Sequence, residues 1–189
     1  MVRFARRLAL AILILSASCA EPPSKEMNQA QGAIDAARVA AADRFAAAEF
    51  TAAVDALARA EQAATAGDYR AALSLAIDSR ERAQSATKMA AEARANARGE
   101  SERAIAEAAT LAQRARTRLK DPVVAPLGLR AQRQTIAAAE KVLQEARAAL
   151  KEENYPGVKT ALGGITAELQ AALSAIDAAA GPPRARRKR

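Results

Sequence analysis

The chain has 189 residues, of which 56 are alanine; it contains no His, no Trp and a single Cys, and its formal net charge is +8. Alanine has the highest helix propensity of the amino acids but buries little area, so the composition predicts an all-α fold with slender, closely packed helices. Without His, and with one Cys, the usual catalytic pairs and Cys/His metal sites cannot be assembled. We therefore expect a protein that is not an enzyme and that has no metal or other cofactor.

The first 18 residues have the three zones of an export signal. A basic start contains Arg3, Arg6 and Arg7, an apolar run LALAILIL covers residues 8–15, and the small residues SAS follow. The apolar run is much shorter than the roughly 20 residues that cross a membrane. We interpret residues 1–18 as a signal peptide that is removed from the mature protein.

Cys19 follows directly after the small residues, and this arrangement resembles the lipobox of bacterial lipoproteins. The resemblance implies that Cys19 carries lipid and holds the protein in the cell envelope. Ser16 replaces the usual leucine of the lipobox, and Ser18 stands where Gly or Ala is commoner. Because Ala20 rather than Asp follows the cysteine, the usual sorting pattern implies the outer membrane, with the protein facing the periplasm. The alternative is an ordinary secretory signal cut after Ala20.

The next segments predict a tether and a long helical hairpin. Pro22 and Pro23 exclude a continuous helix, so residues 19–26 are interpreted as the tether. Residues 27–66 contain no Pro and one Gly, which predicts one long helix. A second long helix is predicted from Tyr69 to about residue 119, so that the hairpin covers 27–120.

The turn of this hairpin has the sequence TAGDY. Gly67 suits a left-handed helix end, and the Asp68 carboxylate can accept hydrogen bonds from the first amides of the next helix. Beyond the turn, small residues recur at steps of three and four, which predicts a tightly packed helical seam; they are Ala83, Ala86, Ala90, Ala93 and Ala97.

A Pro/Gly segment at 121–129 predicts a linker between the two halves, and a second helical hairpin is predicted over 130–180. Asn154 is the expected cap of its second helix, and Pro156 fits the first turn. The apolar residues of both helices step by three and four; they are Ile136, Ala139, Leu143, Ala146 and Leu150, then Val158, Leu162, Ile165, Leu169, Ala172 and Ile176.

The two hairpins also resemble each other. Placing Tyr69 over Tyr155, an offset of 86 residues, aligns ALARAEQAATAGDYRAAL with VLQEARAALKEENYPGVK. Leu57 then aligns with Leu143. The shared turn predicts an internal duplication of a helix–turn–helix unit.

The segment from about Met27 to Ala97, with its GDYRAAL turn and alanine-rich helices, resembles a helical domain of unknown function found in bacterial envelope lipoproteins, where it is sometimes fused to OmpA-like domains. The resemblance implies location and architecture, and it provides no catalytic or ligand residues. The same turn is similar to that of tetratricopeptide helix pairs, but their 34-residue period is missing.

The last residues, 181–189, form a basic tail whose charged members are Arg184, Arg186, Arg187, Lys188 and Arg189. With the three arginines of the signal, they equal the whole net charge, so the body between is neutral. The tail can contact an anionic surface, or it can be a solvated end that only raises solubility; both interpretations stay open. Nucleic acid is not expected, because export removes the chain from DNA and no aromatic platform accompanies the arginines.

The sequence as a whole therefore predicts an all-α protein of two antiparallel helical hairpins with coiled-coil-like packing. We expect it to be lipid-anchored in the envelope and to act as a structural spacer or adaptor through its helical surfaces. The expected partners are the membrane, through the anchor, and an envelope protein or peptidoglycan. Self-association stays open, because alanine seams bury little area without a second chain. The alternative function is a soluble secreted helical protein that self-associates or binds an anionic polymer through its basic tail.

Overall fold

The computed structural model describes residues 21–180, apart from the side chain of Pro126, and this part of the chain is all-α, as expected. No strand occurs within it. A short 3-10 helix, Ala125–Leu127, lies in the segment predicted as a linker. The α-helices, in chain order, are α1 Ser24–Val39, α2 Ala42–Phe45, α3 Ala47–Thr65, α4 Tyr69–Leu119, α5 Arg130–Lys151, α6 Tyr155–Leu162 and α7 Ile165–Ala180.

The chain divides into two compact units, Met1–Ala93 and Arg94–Arg189. The division falls within α4, which is continuous from Tyr69 to Leu119. The segment 121–129, where the sequence predicted the boundary, lies inside the second unit and connects α4 to α5. The last part of the predicted long hairpin thus contributes to the second core rather than to the first.

Three helices pack together in the first unit: α1, α3 and the first part of α4. The turn after α3 reverses the chain, and Ser79 Oγ donates a 2.8 Å hydrogen bond to the Ala53 carbonyl, which joins α4 to α3. On α1, Gln29 Oε1 accepts a 2.8 Å hydrogen bond from Arg80. The core of this unit consists almost entirely of alanine; its buried members are Ala30, Ile34, Ala37, Ala42, Ala46, Ala53, Leu57, Ala83, Ala86 and Ala90.

The single long helix predicted for residues 27–66 is wrong, because the chain breaks between α1 and α3. Ala41 has a left-handed backbone, with φ of 60°, and Ala46 leaves the helical region with φ of −142°. The break folds α1 back beside α3, so that Ile34 becomes buried in the alanine core and the guanidinium of Arg38 lies 5.6 Å from the centre of the Phe50 ring. Burial of the α1 face thus outweighs the propensity of these residues to continue one helix.

The tether is also shorter than the predicted 19–26. Helix α1 already begins at Ser24, three residues before the predicted start. The amide of Met27 donates to the Pro23 carbonyl at 3.1 Å. Because proline lacks an amide hydrogen, it fits the start of a helix, where that hydrogen would have no helical acceptor.

In the second unit, the last part of α4 packs with α5 and with the α6–α7 pair. Its core contains larger side chains than that of the first unit, and every apolar residue predicted for α6 and α7 is buried. Gly163 and Gly164 lie between the end of α6 and the start of α7. The buried core comprises Ile105, Ala108, Ala112, Ala115, Leu119, Val124, Ile136, Ala139, Leu143, Ala146, Val158, Leu162, Ile165, Leu169 and Ile176.

The predicted likeness of the two hairpins extends to the hydrogen bonds of their turns. The Asp68 carboxylate accepts from the Ala71 amide at 3.0 Å, and Asn154 Oδ1 accepts from the Gly157 amide at 3.1 Å, so both predicted caps are confirmed. The backbone bonds match at the same offset of 86: Ala66 N to Gln62 O with Glu152 N to Ala148 O, Gly67 N to Ala64 O with Glu153 N to Leu150 O, and Asp68 N to Ala63 O with Asn154 N to Ala149 O.

The buried positions of the hairpins match at the same offset. Between Ala53 and Ala90, each buried residue of the first hairpin except Ala56 has a buried partner in the second, although the side chains are often different. Ala72, Ala76 and Ser79, for example, correspond to Val158, Leu162 and Ile165. The structure thus supports an internal duplication in which the second copy has the larger core.

Candidate functional site

The residues that the sequence singled out for function lie outside the described part of the chain. Cys19, the predicted lipid attachment site, is two residues before it. The basic tail, Arg184, Arg186, Arg187, Lys188 and Arg189, lies after it. The structure therefore brings none of these residues together, but it defines the end of the folded body that is nearest to Cys19.

This end of the first unit begins at Pro22 and Pro23. The Pro22 carbonyl accepts a 2.7 Å hydrogen bond from the Ser24 amide, and Pro23 is buried. The folded body thus starts four residues after Cys19. In the sequence these prolines exclude a continuous helix, but proline next to a helix start is also a boundary signal that could have revealed the short connection.

The α3–α4 turn lies at the same end of this unit. Helix α1 runs antiparallel to α3, since only seven residues connect them, and α3 runs antiparallel to α4. Helix α1 is therefore parallel to α4, and the hydrogen bond between Gln29 and Arg80 joins the two helices at these residues. We call residues 65–70 the tip of the first unit.

The tip presents a mixed surface. Tyr69 is half-buried, whereas Arg70 and Ala66 are exposed. Leu73, one turn into α4, is 39% exposed, and Val39 and Met89 of the same unit are exposed as well. An aromatic ring, a guanidinium and an exposed leucine thus lie within two turns of helix.

The corresponding surface of the second unit is different. Tyr155, the partner of Tyr69 at the offset of 86, is 6% exposed. Pro156 and Lys159 stand where the first unit has Arg70 and Leu73. The two turns therefore share their backbone hydrogen bonds but do not present the same chemistry to their surroundings.

Ion pairs join the helices of each unit at their edges. The Glu49 carboxylate on α3 lies 3.5 Å from the Arg82 guanidinium on α4. In the second unit, Arg118 pairs with Asp177 at 2.7 Å, and Arg94 pairs with Glu153. Exposed pairs of this kind contribute about 0.2–1 kcal/mol each, so they select the pairing of helices more than they stabilise it.

The pKa values of these arginines are raised above the ordinary value for arginine. Hydrogen bonding to Asp177 raises the pKa of Arg118, and hydrogen bonding to Glu153, with a smaller contribution from Tyr155, raises the pKa of Arg94. The hydrogen bonds that Arg82 donates to the Asp78 carboxylate likewise raise the pKa of Arg82. All three side chains therefore stay charged at neutral pH. They can form ion pairs there but are not suited to proton transfer.

Among residues 21–180, no group of three or more acidic or cysteine side chains is arranged to hold a metal ion. Within the same range, no helix is long and apolar enough to span a bilayer. The concave surfaces of this part of the chain include an open groove lined by Gln113, Arg114, Thr117, Arg118, Asp121, Leu173 and Asp177.

Comparison with known protein families, curated proteins and solved structures gave no match for this chain.

Proposed function

We propose that this chain is a lipid-anchored protein of the bacterial cell envelope, attached through Cys19, which acts as a non-enzymatic spacer or adaptor through its helical surfaces. The observation that carries the proposal is the order of segments at the amino terminus. A basic start, an eight-residue apolar run and three small residues precede the only cysteine of the chain, and a folded helical body starts four residues later.

Lipid attachment also accounts for the lone cysteine. An exported protein with one free thiol is open to oxidation and to unwanted cross-links, and a thioether to lipid removes that thiol. Each buried methylene of an acyl chain contributes about 0.8 kcal/mol, and stable anchoring takes more than one chain. A lipobox cysteine, which receives three chains, meets this requirement. Outer-membrane attachment, facing the periplasm, is the location that we propose from Ala20.

The proposed role as spacer or adaptor is supported by the character of the helical body. Its charges balance, its helices pack through alanine, and its arginines at the helix edges are held in ion pairs. The chain has no His, and the described surface includes shallow, open grooves between the helices. Helical faces are therefore the surfaces through which a partner would be bound.

Metabolic labelling tests the anchor. We expect radioactive palmitate to label the wild-type protein and not the Cys19→Ser variant, and globomycin to accumulate a larger precursor of the wild type. An unlabelled wild-type protein that partitions into the aqueous phase with an intact Cys19 thiol would contradict the proposal and would favour the soluble secreted alternative.

The basic tail is tested separately, on vesicles that contain anionic phospholipid. Removing residues 184–189 should weaken sedimentation with these vesicles at low salt, because each basic residue near an anionic surface contributes about 1 kcal/mol. A variant in which the five tail cations are replaced by Gln keeps the length and removes only the charge. Unchanged binding of both variants would mean that the tail is a solvated end.

A further inference from the structure

The short connection between Cys19 and the first unit limits how far that unit can stand from a membrane. Four residue steps separate Cys19 from Pro23, and an extended chain spans at most 3.3–3.6 Å per residue, so the two Cα atoms are at most about 14 Å apart. Pro23 is buried and is the N-cap residue of α1, which begins at Ser24. This limit holds for every conformation of the connection.

The tip extends beyond Pro23 in the direction of the helix axes. The hydrogen bond between the side chains of Gln29 and Arg80 places these two residues at a similar level along the parallel helices. Pro23, six residues earlier on the parallel helix, is therefore level with about residue 74 of α4. Asp68 lies six residues further, which is about 9 Å at 1.5 Å per residue.

These two lengths bring the tip close to the depth of Cys19. With the helix axes along the membrane normal and the connection fully extended, the tip lies about 5 Å from the level of Cys19. A less extended connection reduces this separation. The headgroup layer of each leaflet is itself about 5–8 Å thick, and a lipid-bearing cysteine lies within or beside this layer.

We infer that the tip of the first unit, residues 65–70 together with Leu73, lies in the headgroup layer of the membrane that holds Cys19 and contacts phospholipid there. The inference rests on the proposed lipidation of Cys19. It orients the first unit with its α3–α4 turn toward the lipid and its α1–α2 break, around Ala41, away from it.

The side chains of the tip fit this environment. A tyrosine ring with one polar end is favoured at the membrane–water interface, Arg70 can donate hydrogen bonds to phosphate, and Leu73 can bury its exposed side chain. The second unit, with Pro156 and Lys159 at the equivalent positions and Tyr155 buried, has none of these three features. The outer surface of the two turns thus differs, although the inner structure is the same.

Two single-cysteine labels within the first unit test the inference. Ala66→Cys places a thiol on the tip, and Val39→Cys places one on a side chain that is 89% exposed near the opposite end of the unit. The lipid consumes the Cys19 thiol, so each variant has one thiol for a fluorophore. The full-length protein is purified in its acylated form, verified by mass, and inserted into phospholipid nanodiscs that contain headgroup-quencher lipid.

We expect the quencher lipid to reduce the fluorescence of the label at Ala66 at least two-fold and to leave the label at Val39 within about one tenth of its unquenched value, since α1 separates Val39 from Pro23 by about 24 Å. A further variant with ten Gly/Ser residues inserted after Ala20 should lose most of the quenching at Ala66 while it remains acylated, because the longer connection removes the distance limit.

Three results would overturn the inference. Acylated protein without quenching at Ala66, or with equal quenching at Ala66 and Val39, contradicts the position of the tip and leaves the anchored function intact. Quenching at Ala66 that persists in full after the insertion shows that the short connection does not place the tip. Protein without lipid in the mass measurement overturns the anchored function itself, and the inference fails with it.

Discussion

Gly67 and Glu153 have the same left-handed backbone conformation at equivalent positions of the two hairpins, with φ of 81° and 55°. Each residue ends one helix, and the next residue caps the following one. Glycine adopts this conformation without strain, whereas a residue with a Cβ does so at a cost of about 1–2 kcal/mol. The two turns therefore have the same backbone conformation at this position, but with different residues.

The first prediction concerns this difference. Gly67→Ala should lower the free energy of unfolding by about 1 kcal/mol, because no neighbouring atom lies near the added Cβ and only the backbone is strained. Glu153→Gly should be more stable than Glu153→Ala by about the same amount. Neither variant has a side chain that can bond to Arg94, so their difference reports the backbone strain. Urea denaturation followed by circular dichroism measures each value, and a neutral Gly67→Ala would contradict the interpretation.

The second prediction concerns the cap of α6. A Cβ added to Gly157 would lie 2.5 Å from Asn154 Nδ2, so Gly157→Ala should displace the capping side chain. Loss of an N-cap costs about 1 kcal/mol, and we expect Gly157→Ala and Asn154→Ala each to lower the free energy of unfolding by roughly this amount. Once Asn154→Ala has removed the cap, the methyl group added at residue 157 has nothing to displace. The double variant should therefore lose about as much stability as either single variant. Full additivity in the double variant would show that the two residues act independently.

The third prediction compares the two cores at one equivalent position. Ala83 and Leu169, 86 residues apart, are both fully buried. Leu169→Ala should lower the free energy of unfolding by about 2–5 kcal/mol, because it leaves a cavity. Ala83→Leu should also destabilise, by about 1–3 kcal/mol, since the alanine core has no room for a larger side chain. Val123→Ala, on a side chain that is 63% exposed, serves as the control and should change stability by less than about 0.5 kcal/mol. A stabilising Ala83→Leu would show that the first core holds unfilled space.

Several features of the fold could be predicted because they depend on neighbours in sequence. Gly67 and Asp68 end one helix and cap the next within a few residues, and Asn154 does the same for α6. The apolar positions of α5, α6 and α7 repeat at helical spacing, and burial follows that repeat. The candidate site at Cys19 is likewise a matter of local order along the chain, whereas the tip beside it became recognisable only once the register of α1 against α4 was known.

The break between α1 and α3 carries no Pro and no Gly, so the local sequence gave no reason to expect it. A longer-range signal exists. Ala37 and Ala53 are both buried, yet sixteen residues on one straight helix would place them about 160° apart around the axis. One helix cannot turn both faces toward the same neighbour, and recognising this requires knowing which alanines are buried.

By itself, the sequence determined that this protein is helical, where its two tight turns fall and which residues face the second core, because propensity, capping and periodicity act over one or two helical turns. Only the tertiary structure decided that α1 folds back at Ala41, that one helix serves both units and that the tip lies at the same end of the first unit as Pro23. Those features depend on which faces are buried against each other, and alanine, which fits nearly every helical position, leaves that choice to packing between distant parts of the chain.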